Sequence, residues 1–523
     1  MEISTKPDRT YSTTPLTRII GDYDPLLFWP VLGMFIIIVI AGLFFPDAMG
    51  ETLSGTRNFL LFNFSWAFLL GVGATLCFAV YLIFSPYADL KLGKEEDVPE
   101  FSFVAWVAML FSCGLGIGFV FFAVSEPLTH LYQSSHVVDT STAGTMNGVP
   151  RAVHLAIFDW GLHAWALFAV GGWAIAFPAY RLGLPLNIGT GLYGILGDKC
   201  TTSLWGKLAD GLGVLGTVGG NAASIGLGVA SISFGLHTVF GLDLGNTGKA
   251  GIMLVIIVAY VWSAASGVEK GIKFLSLINL CLASTVVMIL LFFGNAPTQY
   301  LLNLLTQEIG EYFSGLITMT FWSDAGNVEQ RDWLGWWVIF NWLWWISYIP
   351  FCGGFIARIS KGRTLKEFVL GVLITPLFLT IIWFTVWGGS AAYTDVTGVA
   401  PLWDGVQNNF EAGIYMLLDT VKGGWWLSLI ILINMTIFAV TTADSASFFA
   451  SMQMSRGNRN PKIAMRLLWG LAIGVTGLIF QLFGGFKAIK SLAIVVGFPF
   501  FFVSIAFMVS VYKMLRAAKA GKL

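Results

Sequence analysis

Aromatic residues are concentrated in an apolar stretch that begins at Trp333 and ends at Tyr348. The stretch contains six tryptophans, and the rings of Trp344 and Tyr348 share a helix face because these residues are four positions apart. An earlier apolar stretch carries Trp165 and Phe168, which also share a face. Aromatic faces attract quaternary ammonium groups by roughly 0.5–2 kcal/mol per ring. Two such aromatic faces, one with Trp165 and Phe168 and one with Trp344 and Tyr348, predict a cage for an onium cation.

Tryptophans also collect in a belt where a membrane protein meets the lipid–water interface. This interpretation fits the tryptophans that lie near the ends of apolar stretches, and it fits Trp344, Trp345 and Tyr348 poorly because they lie nearer mid-span. The tryptophans that a belt would explain are Trp333, Trp336, Trp337, Trp425 and Trp426.

Two apolar stretches carry residues that interrupt a helix. Gly114, Gly116 and Gly118 alternate in the first, and the second contains Pro350 followed by Gly353 and Gly354. Backbone groups freed at membrane depth persist only where protein or a water-filled cavity satisfies them. We therefore expect both interruptions to border a binding site, with close packing of helices through the glycines as the alternative.

Hydroxyl and ionisable side chains add a second kind of chemistry. Thr441 and Thr442 are suited to a hard cation such as sodium, although threonines in membrane helices also bond to their own backbone. Asp159 and Asp444 are intramembrane carboxylates, which are functional candidates because their burial is costly. His163 is either functional or a hydrogen-bonded packing residue. The sequence lacks the GxSxG, HExxH and Walker-type motifs of common enzymes.

Composition places these stretches in a membrane. The chain has 523 residues, 56% hydrophobic and 11% charged, with a mean hydropathy of +0.77. Soluble domains average about 25% charged residues, so we expect an all-α polytopic membrane protein. The net charge of zero does not suggest nucleic acid. The cysteines are scattered and predict neither a disulfide framework nor a zinc site.

A membrane span needs about 20 mostly apolar residues, and the sequence predicts twelve. A segment over 298–322 reads instead as an amphipathic surface helix, with Leu301, Leu305 and Tyr312 at helical spacing. With the N-terminus inside, 22 of the 29 Lys and Arg residues face the cytoplasm, which predicts that both termini are cytoplasmic. The predicted spans are 26–46, 58–84, 101–126, 152–180, 208–236, 249–265, 272–294, 332–357, 366–393, 425–450, 464–484 and 489–512.

The two interruptions lie five spans apart, in the third and eighth spans. Five is odd, so two five-helix units have inverted topology, which is typical of secondary transporters with a mid-membrane site. The predicted organisation is a cytoplasmic tail (1–25), two N-terminal helices (26–100), a first repeat (101–294), a periplasmic amphipathic helix and linker (295–331), a second repeat (332–512) and a short cytoplasmic tail (513–523).

These motifs together resemble the betaine/carnitine/choline transporter family over nearly the whole chain. The resemblance is carried by Gly114 to Gly118 with the following Ser125-Glu126-Pro127-Leu128, by Trp160 to Trp165, by Ser266 to Ile272, by Trp344 to Tyr348, by Ala357 to Thr364 and by Thr442 to Ser445. It implies the LeuT-like fold of inverted five-helix repeats, frequently a homotrimer, and a small onium substrate.

The resemblance also implies residue roles. The substrate would be bound by the unwound segment with Gly114, Leu115 and Gly116 and by six aromatic cage residues: Trp160, Trp165, Phe168, Trp344, Trp345 and Tyr348. A sodium site would map to Ser112, Leu115, Phe438, Thr441 and Thr442, and a second, weaker one to Thr217, Asn221 and Phe351. Asp159, Phe168, Asn221 and Tyr348 depart from the commonest family pattern, which leaves the choice of substrate open.

We therefore expect a transporter, not an enzyme, that imports glycine betaine, choline, carnitine or dimethylsulfoniopropionate with sodium. A sodium-independent exchanger on the same fold is the alternative. An onium-gated receptor or channel would need a continuous polar pore. A membrane enzyme would have only Asp159 and His163 as candidate catalytic groups.

Overall fold

The structure is a computed structural model that describes residues 14–114, 116–133, 141–266, 269–323, 325–326, 333–483 and 485–523. Within these residues the backbone is almost entirely helical, and one isolated bridge pairs Lys91 with Thr364. The helices are α1 (Pro15–Ile20), α2 (Pro25–Phe44), α3 (Pro46–Phe84), α4 (Phe103–Gly114), α5 (Ile117–Gln133), α6 (Val149–Asp159), α7 (Leu162–Leu182), α8 (Tyr193–Leu196), α9 (Leu204–Phe240), α10 (Gly245–Ser266), α11 (Glu269–Phe293), α12 (Thr298–Thr320), α13 (Val338–Tyr348), α14 (Gly354–Ile359), α15 (Leu365–Val396), α16 (Leu402–Asn408), α17 (Gly413–Asp419), α18 (Gly424–Met454), α19 (Ile463–Phe483) and α20 (Gly485–Lys519).

Ten helical segments of the described chain are long and apolar enough to cross a membrane, or eleven when the bent pair Leu277–Phe293 and Thr298–Thr320 is taken as one span. Each of the twelve sequence-predicted ranges overlaps one of the helices. The third range is divided between α4 and α5, each too short to span a membrane alone. The expectation of an all-helical, multi-pass membrane protein is confirmed.

Both predicted interruptions are present in the backbone. Helix α4 ends at Gly114 and α5 begins at Ile117, with Gly116 outside either helix. Between α13 and α14 the chain forms a π-helix over Ile349–Gly353. A π-helix displaces carbonyl groups from the regular bonding pattern and is frequent at functional sites.

A third interruption divides the predicted span 152–180, which the sequence reading treated as continuous. Helix α6 ends at Asp159, and α7 begins at Leu162 after a non-helical Gly161. The Tyr312 hydroxyl of α12 accepts a hydrogen bond of 2.7 Å from the Leu162 backbone N–H, and thereby caps the start of α7.

Helix α12 confirms the expected amphipathic helix but buries a different face. Leu301 and Tyr312 are buried as the pattern suggests, together with Leu304 and Glu308. Leu305 is half-buried, and three further apolar residues of the helix, Leu302, Ile309 and Phe313, are exposed. The helix therefore packs one face on the protein and leaves a second apolar face uncovered.

A loop contact holds the first half of one broken helix to the second half of another. The backbone of Leu92 exchanges hydrogen bonds with Gly362 and Arg363, both of 2.8 Å. The Trp106 indole N–H of α4 donates to Ser360 Oγ at the end of α14, also at 2.8 Å. This contact fixes α4 relative to α14.

An ion pair joins three helices around the buried Asp444 of α18. Arg466 Nη2 of α19 donates to Asp444 Oδ1 at 3.0 Å, and Ser263 Oγ of α10 donates to Oδ2 at 3.1 Å. Asp444 is 1% exposed. The carboxylate that the sequence offered as a functional candidate therefore has a structural partner.

Replacing Arg466 by Met should lower the melting temperature of the purified protein. The change leaves the Asp444 charge buried without its ion-pair partner, and breaking such a pair costs about 3–5 kcal/mol. The measurement is thermal unfolding in detergent, followed by size-exclusion fluorescence. The double variant Arg466→Met/Asp444→Asn should recover part of the loss. Equal melting temperatures of the parent and Arg466→Met would contradict the structural role.

Candidate functional site

The structure brings the six predicted cage residues into one cluster. Trp345 lies at its centre, with ring-centroid distances of 5.7 Å to Trp160, 5.7 Å to Trp165 and 5.0 Å to Phe168. Trp344 lies 6.0 Å from Trp160. Residues more than 170 positions apart in sequence therefore share one site, because α7 packs against α13 and the π-helix that follows it.

The cage rings contact one another directly. Five of the six side chains are no more than 7% exposed, and Tyr348 is half-buried. The centroid separations are those of aromatic rings in edge or tilted contact. An onium group held between two ring faces needs its own diameter between them, so binding there requires the rings to separate.

Gly118 allows the two halves of the cage to meet. A Cβ atom at this position would lie 2.7 Å from Trp344 and 2.8 Å from Trp160. The glycine motif thus serves the site through close approach of α5 to both indoles, as well as through the interruption before it. Beside the break, a Cβ at Gly116 would meet open space.

Polar groups fix the orientation of half of the cage. The Trp160 indole N–H donates to Glu126 Oε2 at 3.0 Å, and that of Trp344 donates to the Gly220 carbonyl at 3.2 Å. The Tyr348 hydroxyl bonds to Ser224. Among the described residues the buried indole N–H groups of Trp165 and Trp345 have no hydrogen-bond partner. These two donors are available to a polar group of a ligand.

The residues predicted for the first sodium site are only partly described. Thr441, Thr442 and Phe438 lie on α18 and are half-buried. The Thr441 hydroxyl donates a hydrogen bond of 2.9 Å to the Ile437 carbonyl of its own helix. The sequence left this bonding to the helix backbone open as the alternative to sodium binding. Leu115 and the side chain of Ser112 lie outside the described part of the chain, as does the Gly114 environment.

The residues predicted for the second, weaker sodium site offer oxygen ligands more clearly than those of the first. Thr217 and Asn221 are buried on α9, one turn apart. Among the described residues the Thr217 hydroxyl and the Asn221 side-chain carbonyl have no hydrogen-bond partner, while Asn221 Nδ2 donates to the Thr217 backbone carbonyl at 2.7 Å. Phe351 lies in the π-helix, which packs on α9.

The structure gives His163 a packing role. Its Nε2 atom is 2.8 Å from the Thr320 hydroxyl, and its ring stacks on Trp342 with a centroid distance of 4.8 Å. Asp159, by contrast, lies beside Trp160 at the end of α6, and neither of its buried oxygens has a hydrogen-bond partner in the described chain.

The sequence analysis missed two ionisable residues next to the cage. Glu126 is 0% and Lys490 2% exposed, and both lie within membrane helices. In the sequence, Glu126 stands out only as part of a family motif, and Lys490 lies at the beginning of the last predicted span, 489–512. An intramembrane charge is by itself a functional signal, and it could have identified both residues.

The interface-belt interpretation is wrong for two of its five tryptophans, Trp333 and Trp337. Trp333 and Trp337 are 8% exposed, and both rings contact His130. Trp336 is half-buried, with the Arg57 guanidinium 3.5 Å from its ring centroid. Their position near the end of a span did not place them at the lipid because α3, α5 and α20 cover them. Trp425 and Trp426 are 44% and 64% exposed, as a belt requires.

Comparison with known proteins identifies similar sequences along nearly the whole chain. The sequence profile described as BCCT, betaine/carnitine/choline family transporter, matches residues 26–520. The glycine betaine transporter OpuD of Bacillus subtilis is 36% identical over 489 residues, which are 94% of each chain. The high-affinity choline transport protein of Escherichia coli K12 is 32% identical over 94% of this chain and 72% of its own length. The osmo-dependent choline transporter BetT2 of Acinetobacter baylyi is 33% identical over 94% and 71%.

Replacing Gly118 by Ala should disturb the contact between Trp160 and Trp344. The added methyl group overlaps both indoles, and such overpacking costs about 1–3 kcal/mol. We expect a lower melting temperature and a changed near-ultraviolet circular dichroism spectrum, which reports the packing of tryptophans. Gly33→Ala is the matched control, because its Cβ would meet open space on α2. An equal effect of both changes would contradict the close approach.

Proposed function

Because this chain belongs to the betaine/carnitine/choline transporter family, we propose that it carries a small quaternary-ammonium or sulfonium osmolyte across the membrane, coupled to sodium. Glycine betaine and choline are the substrates named for its relatives, and carnitine and dimethylsulfoniopropionate share the onium group. The relatives are transporters, so an enzymatic function is not proposed.

The observation that carries the proposal is the single cluster formed by Trp160, Trp165, Trp344 and Trp345. Onium groups have no hydrogen-bond donors, so aromatic faces are a main means by which a protein can recognise them. The rings are buried in the middle of the helix bundle, as a transport site requires. Their direct contact supports a binding step in which the substrate separates them.

The carboxylate of a zwitterionic substrate requires donors at the other end of the site. We propose that the free indole N–H groups of Trp165 and Trp345 and the backbone groups released near Gly116 supply them. Choline lacks a carboxylate and would leave these donors to water. The relative affinities for a zwitterionic substrate and for choline therefore depend on groups at the edge of the cage.

Sodium coupling is proposed from the unpartnered oxygens of Thr217 and Asn221, together with the displaced carbonyls of the π-helix around Phe351. Sodium prefers oxygen ligands, and buried oxygens without a partner are costly unless an ion or water satisfies them. Thr441 and Thr442 form the other candidate site. A bound ion shifts the conformational equilibrium only as far as it prefers one state.

We propose twelve spans arranged as two inverted five-helix repeats after α2 and α3, in the LeuT-like manner. Three features support this proposal: the helix coverage of all twelve ranges, the break at Gly116, and the π-helix at Ile349–Gly353 five spans later. By family resemblance we further propose a homotrimer in a bacterial inner membrane with both termini in the cytoplasm.

A sodium-independent exchanger remains a second candidate. It is favoured by the hydrogen bond of the Thr441 hydroxyl to its own helix, which leaves that hydroxyl engaged. Proteoliposomes distinguish the two functions. A symporter accumulates substrate when an inward sodium gradient is imposed, whereas an exchanger takes up labelled substrate only against substrate loaded inside.

Trp344→Leu should weaken onium binding by about tenfold or more. It removes one aromatic face and the contacts of that face with Trp160. The measurement is intrinsic fluorescence of the purified protein, titrated with glycine betaine, choline, carnitine and dimethylsulfoniopropionate. Trp426→Leu is the control, because this ring is 64% exposed and distant in sequence from the cage. No saturable response of the parent to any onium ligand, confirmed with a radioligand, would refute the substrate class.

Asn221→Leu should raise the sodium concentration needed for half-maximal substrate binding by about tenfold, since loss of a charge-bound oxygen costs about 1.5 kcal/mol or more. Thr441→Val tests the other candidate site in the same titration, with potassium replacing sodium to keep ionic strength constant. Thr306→Val on α12 is the control, because its hydroxyl bonds only to Leu302 of its own helix among the described residues. Substrate binding that is indifferent to sodium in the parent would exclude the symporter and favour the exchanger.

A further inference from the structure

A cluster of four ionisable side chains lies directly behind the cage. Glu126 and His130 are one turn apart on α5, Asp159 ends α6, and Lys490 comes from α20. All four are at most 2% exposed. His130 Nε2 lies 3.7 Å from Glu126 Oε1 and 4.0 Å from Asp159 Oδ2. One ligand atom from each of Glu126, His130 and Asp159 lies within 4.8 Å of the other two.

The carboxylates of this ionisable cluster are incompletely satisfied. Glu126 Oε1 and both oxygens of Asp159 have no hydrogen-bond partner among the described residues. The Lys490 ammonium is held by aromatic rings instead of by either carboxylate, with its Nζ 4.1 Å from the Trp337 centroid and 4.3 Å from that of Phe340. Two acids thus share a dry site with one ammonium.

Two adjacent carboxylates in such a site do not both ionise without a compensating charge. One of them retains a proton, or a second cation must approach. Other cationic groups of the described chain also act on the cluster. Arg57 of α3 acts on Lys490 and lies over Trp336, and Arg151 of α6 acts on His130 and interacts with Glu308 and Glu311 of α12. The remaining polar neighbour of Asp159 is the neutral Asn341.

The cluster is linked to the cage through one hydrogen bond. Trp160 donates its indole N–H to Glu126, and its ring contacts Trp344 and Trp345. Asp159 immediately precedes Trp160 at the break between α6 and α7. A cation bound against the Trp160 ring is therefore close to both carboxylates, and because all these side chains are buried the electrostatic interaction is weakly screened.

We propose that Glu126 and Asp159 form a proton-exchanging counter-charge site for the onium group, so that a proton and the substrate compete. When the cage is empty, one of the two acids holds a proton and the cluster is neutral with Lys490. When an onium cation enters, the acid releases this proton to the solvent, and the carboxylate that is formed balances the positive charge. This inference rests on the proposed onium substrate, and it adds two carboxylates to the aromatic rings that would bind the substrate.

The sign of the effect follows from this competition. Lower pH favours the protonated pair, so choline affinity should fall as pH falls, by a factor that approaches but does not exceed roughly tenfold per pH unit. The carboxylate also accepts a stronger hydrogen bond from Trp160 than the neutral acid does. Proton release therefore holds the Trp160 ring more firmly in place as the substrate binds.

The test is the binding of radiolabelled choline to the purified protein between pH 5.5 and 8.5 at fixed sodium, with proton movement followed by an indicator dye in weakly buffered solution. We expect the parent to bind about fivefold or more weakly at the acid end and to release protons when choline is added. Glu126→Gln and Asp159→Asn should each bind less tightly at pH 8 and lose most of the pH dependence. Loss of the carboxylic-acid infrared band in these variants would identify the proton carrier.

Glu308→Gln is the matched control, because this glutamate is equally buried on α12 but lies outside the cluster. It should keep the pH profile and the proton release of the parent. Choline binding that is independent of pH, or proton uptake in place of release, would overturn the inference while leaving the onium transporter intact. Absence of choline and betaine binding at every pH would instead refute the proposed function itself.

Discussion

The hydrogen bond from Trp160 to Glu126 is the contact on which the rest of the site depends. It joins the residue at the break between α6 and α7 to the half-helix that follows the break at Gly116. The Trp160 ring then packs on Trp344 and Trp345 of α13. Three interrupted or bordering helices are therefore held together by one indole, which has a polar edge facing the acids and an apolar face directed at the cage.

This arrangement reflects a constraint of the membrane interior. A helix interrupted in the bilayer leaves backbone groups that need partners, and at the start of α7 the Tyr312 hydroxyl accepts a hydrogen bond from the free Leu162 N–H. This break is thus stabilised by a side chain from a neighbouring helix. This contact allows the irregular backbone to border a site without exposing it to lipid.

The proposed site has two means of holding an onium cation, which is charged but has no hydrogen-bond donors. The rings would provide quadrupolar attraction and exclude water, and the acids behind them would provide a charge that depends on protonation. The Lys490 ammonium lies against a neighbouring group of aromatic rings that includes Trp337 and Phe340. Under this proposal, aromatic rings hold a cation of the protein and a cation of the substrate in adjacent places.

The sequence by itself determined the class of the protein and the approximate positions of its helices, and with the family resemblance it indicated the aromatic residues that the structure brings together. Hydropathy, the distribution of lysine and arginine, and aromatic spacing are local properties, and they remain valid in any packing of the helices. The break at Trp160–Gly161 was not predicted, because it depends on a hydroxyl group from Tyr312, more than 150 residues away. The buried face of α12 and the burial of Trp333 and Trp337 were misread for the same reason.

Only the tertiary structure decided which of the buried polar groups meet. It paired Asp444 with Arg466, engaged His163 with Thr320, and left Asp159 beside Glu126 with unsatisfied oxygens. Spacing along one helix cannot reveal such contacts, since each joins side chains from different helices whose relative rotation is fixed by packing. The sequence shows which residues can carry a charge, whereas only the packing of the helices determines which of these charges lie next to one another.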